Sequence, residues 1–223
     1  SDILYFHKLF YLLEIILMET DIGKEDTEFI QKVIETYQSS DGGFDYAGVG
    51  FSNQKDTFYF VKAAKTLGIP LADKRIAEWI ASTENETGGF ALFPGGCPRV
   101  EGLYYAVQSL SSLGLAGEMH HRKWILDSFK GDYFDFESDT DSRLIQTCYA
   151  VELLNSSGKK EGGFELDPCR KWIEAHFLGD LTPREAYFGV RALKILDSDM
   201  KVAEKWVDRN VKVLSTRVDK NLE

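Results

Sequence analysis

The four tryptophans of this 223-residue chain share one local context, and that regularity limits its folds more than any other feature. Trp79, Trp124, Trp172 and Trp206 each stand between a charged residue and an Ile or Val, and "RKWI" is written twice, at 122–125 and 170–173. Val33 in "QKVIE" holds the same place upstream, and the successive spacings of 46, 45, 48 and 34 residues mark five units of one repeat.

A second segment recurs upstream of each tryptophan. It carries an aromatic residue, a Val two places on, and aliphatic or small residues at about five and eight: Tyr59, Val61, Ala64, Leu67; Tyr105, Val107, Leu110, Leu113; Phe188, Val190, Leu193, Leu196. Tyr149, Val151 and Leu154 form the fourth copy, and Tyr11, Leu13 and Ile16 a diverged first one. Such offsets fit one face of a helix and break the strict alternation of a strand. Each unit therefore reads as a helical hairpin, with approximate bounds 3–38, 55–83, 99–130, 141–177 and 184–216. "LGIP", "LGLAG" and "NSSG" supply the residues that end helices, while "DGGF" at Asp41, "TGGF" at Thr87 and the weaker "GDYF" at Gly131 follow the second helix of a unit. An apolar, small-residue-rich helix alternating with a charged, Trp-bearing one predicts two layers. The expected fold is all-α, an α/α toroid of about five hairpins filling residues 1–223 as one domain, with a stacked solenoid as the alternative.

Composition narrows the function. With 43% hydrophobic residues the chain can bury a large core. A net charge of −10 and a pI near 5.0 argue against nucleic acid or an anionic membrane surface. Cys97, Cys148 and Cys169 form no CxxC pair and suit a reducing cytoplasm. The apolar opening is interrupted by His7, Lys8 and Glu14 and falls short of the roughly 20 residues that span a bilayer, so a buried helix is expected there rather than a membrane span or signal peptide. "FPGGCPR" lacks the ending of a phosphate-binding P-loop, and no GxSxG elbow is present.

"GGFALFPGGCPRVEGLYYAVQSLSSLG" (88–114) resembles the GGF, PG and LG pattern of protein prenyltransferase β subunits, and "KDTFYFVKAAKTLG" (55–68) resembles their aspartate-led helices. Squalene and terpene cyclases share that architecture. The resemblance implies a toroid with an apolar central cavity that takes an isoprenoid chain. Tyr59, Tyr104 and Tyr149, among the aromatics of the first helices, are the candidates to line it.

The family's catalytic zinc is not expected. The resemblance places an Asp-x-Cys at one helix start and a His at a later one. Here those places hold Glu101 with Leu103 or, one register on, Gly102 with Tyr104, and Gln146 stands in "QTCY" where the His would be. Zinc needs three or four converging N, S or carboxylate ligands. Asp167-x-Cys169 with His176 does not replace them, because seven helical residues rise about 10.5 Å. No cofactor or metal is therefore expected. "SDTDSR" supplies Asp139 and Asp141 as three quarters of the cyclase DxDD acid motif, with Ser142 last, although such residues commonly cap helices. Arg99 and Arg143 stand six residues before Tyr105 and Tyr149, equivalent places suited to an anionic head group beside helix N-termini. Glu101 and Asp56 complete the ligand-binding candidates.

Three readings follow. The first is a prenyltransferase-like or cyclase-like protein holding an isoprenoid or other apolar molecule; if catalytic, it is a zinc-independent transferase or cyclase. The second is a non-catalytic toroid scaffold that binds a protein. The third is a carbohydrate-processing α/α barrel with paired carboxylates.

Overall fold

A computed structural model describes residues 23–46, 48, 50–115, 121–137, 139–156 and 164–220, with backbone alone at 24, 26 and 211–220. The first helix of hairpin 3–38 and His120 lie outside the described residues. Nine helices are described: α1 Lys24–Tyr37, α2 Gln54–Thr66, α3 Asp73–Ala81, α4 Val100–Ser112, α5 Arg122–Asp127, α6 Arg143–Ser156, α7 Asp167–His176, α8 Pro183–Ile195 and α9 Lys201–Lys220. No strand occurs among the described residues, only isolated bridges. The chain divides into two compact units, 1–121 and 122–223. In the first, α2 packs chiefly on α4; in the second, α6 packs on α8, with α7 against both.

The bounds of hairpins 55–83, 99–130, 141–177 and 184–216 fall on α2–α3, α4–α5, α6–α7 and α8–α9. Each tryptophan lies on the second helix of its hairpin, as expected, but the core anchor is the residue after it. Ile34, Ile80, Ile125 and Ile173 are 0–3% exposed. Trp79 is buried as well, whereas Trp124, Trp172 and Trp206 are only half-buried. One helical residue turns the face by about 100°, so the aliphatic neighbour points into the layer and the indole lies along its edge. In α9 the pattern breaks, because Val207 is 46% exposed and Ala203 is buried instead.

The helix stops obey local chemistry. Gly68 and Gly114 adopt φ of 68° and 71°, and the amides of Ile69 and Leu115 donate to Ala64 and Leu110 at 2.8 Å, closing a Schellman-type end. α8 ends the same way, with Ser198 donating to Leu193 at 3.0 Å, but Asp197 occupies the left-handed position at φ 52°.

The GGF segments are tight returns. Gly42 and Gly88 have φ of 107° and 83°, and bridges join Gln38 to Phe44, Glu84 to Phe90 and Phe129 to Phe134. At Gly43 a Cβ would lie 2.6 Å from two indole carbons of Trp79, which is why the second glycine of "DGGF" has no side chain. The three phenylalanines are buried and deliver the chain to the next helix start.

Candidate functional site

The N-termini of α2, α4 and α6 are built to one plan that the sequence candidates occupy. Thirteen residues after its Phe, Thr57 accepts a hydrogen bond from the Phe44 amide (3.1 Å) and Thr147 one from the Phe134 amide (3.0 Å). One residue earlier, Asp56 Oδ2 accepts from the Tyr46 amide (3.0 Å), and Gln146 Oε1 accepts from the Phe136 amide (2.7 Å). At the matching place in α4, Gly102 lets the loop backbone press directly on the helix; a Cβ there would collide with the Phe90 carbonyl. Asp56 also accepts from Asn53 Nδ2 (2.8 Å) and donates its amide to Asn53 Oδ1 (2.9 Å). Gln146 Nε2 donates to the Asp141 carbonyl at 2.7 Å. Both side chains brace the preceding loop.

This bears on zinc. Gln146 spends both ends of its amide on backbone groups, and Leu103 and Tyr104 offer no thiolate. The residues at these positions do not fit the family's metal. Cys169 does not substitute as a thiolate ligand: burial first, and the Asp132 carboxylate second, push its thiol up to about 12. Asp167 is engaged by Arg170 and Lys171.

In the first unit the aromatic candidates form one cluster on α2 and α4. Phe58 lies 5.1 Å from Tyr59 and 5.3 Å from Tyr105, and Tyr104 meets Tyr105 edge-on at 5.4 Å. All four rings are 1–5% exposed. Arg99 is the N-cap residue of α4, and Glu101 is buried in its first turn. In the second unit Tyr149 is buried and packs edge-on against Phe188 at 4.8 Å. Its hydroxyl accepts from Arg184 at 2.9 Å. Arg99 and Arg143 thus belong to different units, each with its own surroundings.

In the second unit several candidates contribute to a cleft of mixed polar and apolar lining. Asp141, Arg143, Asp135, Trp172, His176 and Glu185 line a space of about 540 Å³. Asp139 Oδ1 accepts from the Asp141 amide at 3.0 Å, an Asx turn rather than an acid pair. The Asp141 carboxylate takes both arms of the Arg184 guanidinium, at 2.5 and 2.9 Å. Arg143 donates through Nε to Asp135 at 3.1 Å and sits 5.6 Å over the Tyr133 ring. Glu185 belongs to the α8 capping box with Thr182. Partial burial pushes the Glu185 carboxyl up, but hydrogen bonds from the Thr182 amide and hydroxyl and from Ser142, with the charge of His176, outweigh it and hold the group below its ordinary value. His176 Nδ1 lies 2.8 Å from the Trp172 carbonyl, which can only accept, so Nδ1 carries the proton.

Asp135, Trp172, His176 and Glu185 are absent from the candidates read in sequence. The "TPRE" capping signature marks Glu185 as a helix start, but nothing local brings it to His176. Among the described residues no three His, Cys, Asp or Glu side chains converge on one ion.

Comparison with known proteins adds two findings. A family model for the prenyltransferase alpha-alpha toroid domain matches residues 46–176. Among solved structures, Candida albicans protein geranylgeranyltransferase-I complexed with GGPP superposes with a TM-score of 0.69 at 12% identity, over 91% of this chain and 74% of that one. No curated protein matches the sequence significantly.

Proposed function

This chain belongs to the prenyltransferase alpha-alpha toroid family, and from that membership we propose that it holds an isoprenoid or other apolar ligand against the aromatic faces of its first helices. The observation that carries the reading is the family match over residues 46–176; the rings of Phe58, Tyr59, Tyr104 and Tyr105, packed against one another on adjacent helices and 1–5% exposed, are the apolar side chains that such a ligand would have to part. Tyr149 extends the aromatic set in the second unit, and Arg99 and Arg143 are proposed for an anionic head group, with Glu101 and Asp56 at the helix starts. Any chemistry is zinc-independent, a transfer or cyclisation of the isoprenoid; of its two acid candidates Asp141 is held by both arms of Arg184, so the proposal rests on Asp139. The reading takes residues 1–223 as one domain. No helix among the described residues is long and apolar enough to cross a membrane. The three cysteines are unbridged, which supports a reducing compartment such as the cytoplasm.

Titration with geranylgeranyl diphosphate, the ligand in the solved structure above, and with uncharged geranylgeraniol tests this. Saturable binding of both is expected, weakened at least ten-fold by Tyr104→Ala, with an additional loss for the diphosphate in the Arg99→Ala, Arg143→Ala double variant. Absence of binding to either would remove the reading. A second reading, a scaffold that binds a protein and has no small-molecule ligand, is favoured by the near-complete burial of the same four rings by side-chain packing.

A further inference from the structure

The cleft of the second unit differs in kind from the aromatic clusters, although it shares Arg143 and Asp141 with the isoprenoid reading above. Its charges are engaged locally: Asp135 with Arg143, Asp141 with Arg184, and Glu185 with the Thr182 amide and hydroxyl and with Ser142. An anion entering here would meet the Asp135 and Glu185 carboxylates, and a cation would meet Arg143. Asp135, Asp141 and Arg143 are already engaged in ion pairs, so an ion of either sign would have to displace one.

The same lining presents donors and acceptors side by side. Arg143 carries N–H groups besides the Nε bonded to Asp135, while Asp135 and Glu185 carry acceptor oxygens; the Ser142 hydroxyl donates to Glu185 and can only accept from a ligand. His176 suits either role at Nε2, because Nδ1 is committed to the Trp172 carbonyl: neutral, it accepts, and protonated, it donates. A hydroxyl is the functional group that matches such a wall, since each one donates once and accepts twice. Trp172, held between Tyr133 at 5.2 Å and His176 at 4.0 Å, supplies a rigid apolar edge. The side chains are fixed in advance: Asp141 by a two-pronged guanidinium, Glu185 by the helix cap. A space of about 540 Å³ lies within the range of about 300–1,000 Å³ typical of small-molecule sites.

We propose that the cleft between the starts of α6 and α8 and the end of α7, walled by Asp135, Arg143, Trp172, His176 and Glu185, binds a neutral polyhydroxylated ligand, a sugar or cyclitol.

The test uses the full chain with methyl β-glucoside and myo-inositol as neutral probes and inorganic phosphate and methylammonium as charged ones, followed by saturation-transfer NMR and calorimetry. At least one neutral probe binds saturably and more tightly than either ion. Arg143→Gln alters a side chain 61% exposed, so the fold tolerates it, and His176→Ala removes the bifunctional nitrogen; each weakens the neutral probe at least ten-fold. Circular dichroism establishes that both variants are folded, and Lys74→Gln on α3 of the other unit is the control that leaves the affinity unchanged. Failure of both neutral probes to bind, tighter binding of phosphate or methylammonium, or undiminished affinity in both cleft variants would overturn the assignment. Failure of the neutral probes leaves the geranylgeraniol titration untouched, so the two readings fail separately; tighter binding of phosphate would overturn the sugar assignment and favour Arg143 as a head-group residue instead.

Discussion

A buried isoleucine repeats in the second helices α1, α3, α5 and α7 of their hairpins, and the packing of each rests more on it than on the residue before it, a tryptophan in the last three. Ile173→Ala leaves a cavity in a fully buried position and should cost about 2–5 kcal/mol, whereas Val207→Ala, at the matching but exposed place in α9, should stay within about 0.5 kcal/mol. Chemical denaturation of the two variants checks the difference. Glu185 makes a second residue-level prediction. Its carboxyl is held below the ordinary glutamate value in the folded chain, so the stability it contributes is present above the unfolded value and lost as pH falls through the folded one. Glu185→Gln should therefore destabilise the protein at neutral pH and lose that disadvantage below about pH 4, the ordinary range for glutamate. Melting curves of both proteins from pH 7 to pH 3 read this directly.

Helix ends were legible one element at a time, because a Schellman stop needs only a residue able to adopt positive φ. Gly68 and Gly114 announce it in "LG"; Asp197 does not, and its left-handed backbone emerges only from the fold. Gly68→Ala should destabilise by about 1 kcal/mol, and Asp197→Gly should be neutral or stabilising by up to about 1 kcal/mol. Opposite signs in thermal denaturation are the expected result. The GGF returns were visible as punctuation, but their use was not. The Thr57 and Thr147 hydroxyls and the Asp56 and Gln146 side chains bind backbone amides ten or thirteen residues upstream, a spacing that no helical or strand period picks out.

At the scale of the molecule, the 223 residues are proposed as one domain, so the two compact units should unfold together. A single calorimetric transition whose van't Hoff and calorimetric enthalpies agree is expected; two resolved transitions would separate the units energetically. The whole-chain similarity to a solved geranylgeranyltransferase-I at 12% identity shows how little of the fold depends on residue identity. A repeat that keeps apolar faces, turn glycines and helix caps in phase preserves the architecture while its chemical residues change.

The sequence by itself determined the four hairpins between 55 and 216, the helical type of their segments and the membership of each tryptophan in the second helix. Periodicity and turn chemistry are local, and the repeat amplifies them. It also gave the identity of the residues where the resemblance would place zinc ligands, since Leu103 and Gln146 can be read one position at a time. Only tertiary structure decided that Ile173 rather than Trp172 is the anchor, because a shift of about 100° on a helix is settled by what lies opposite. The same holds for the cleft. Asp135, His176 and Glu185 come from three segments whose proximity depends on how α6, α7 and α8 pack, and Asp141 becomes a structural carboxylate because Arg184, 43 residues away, folds onto it.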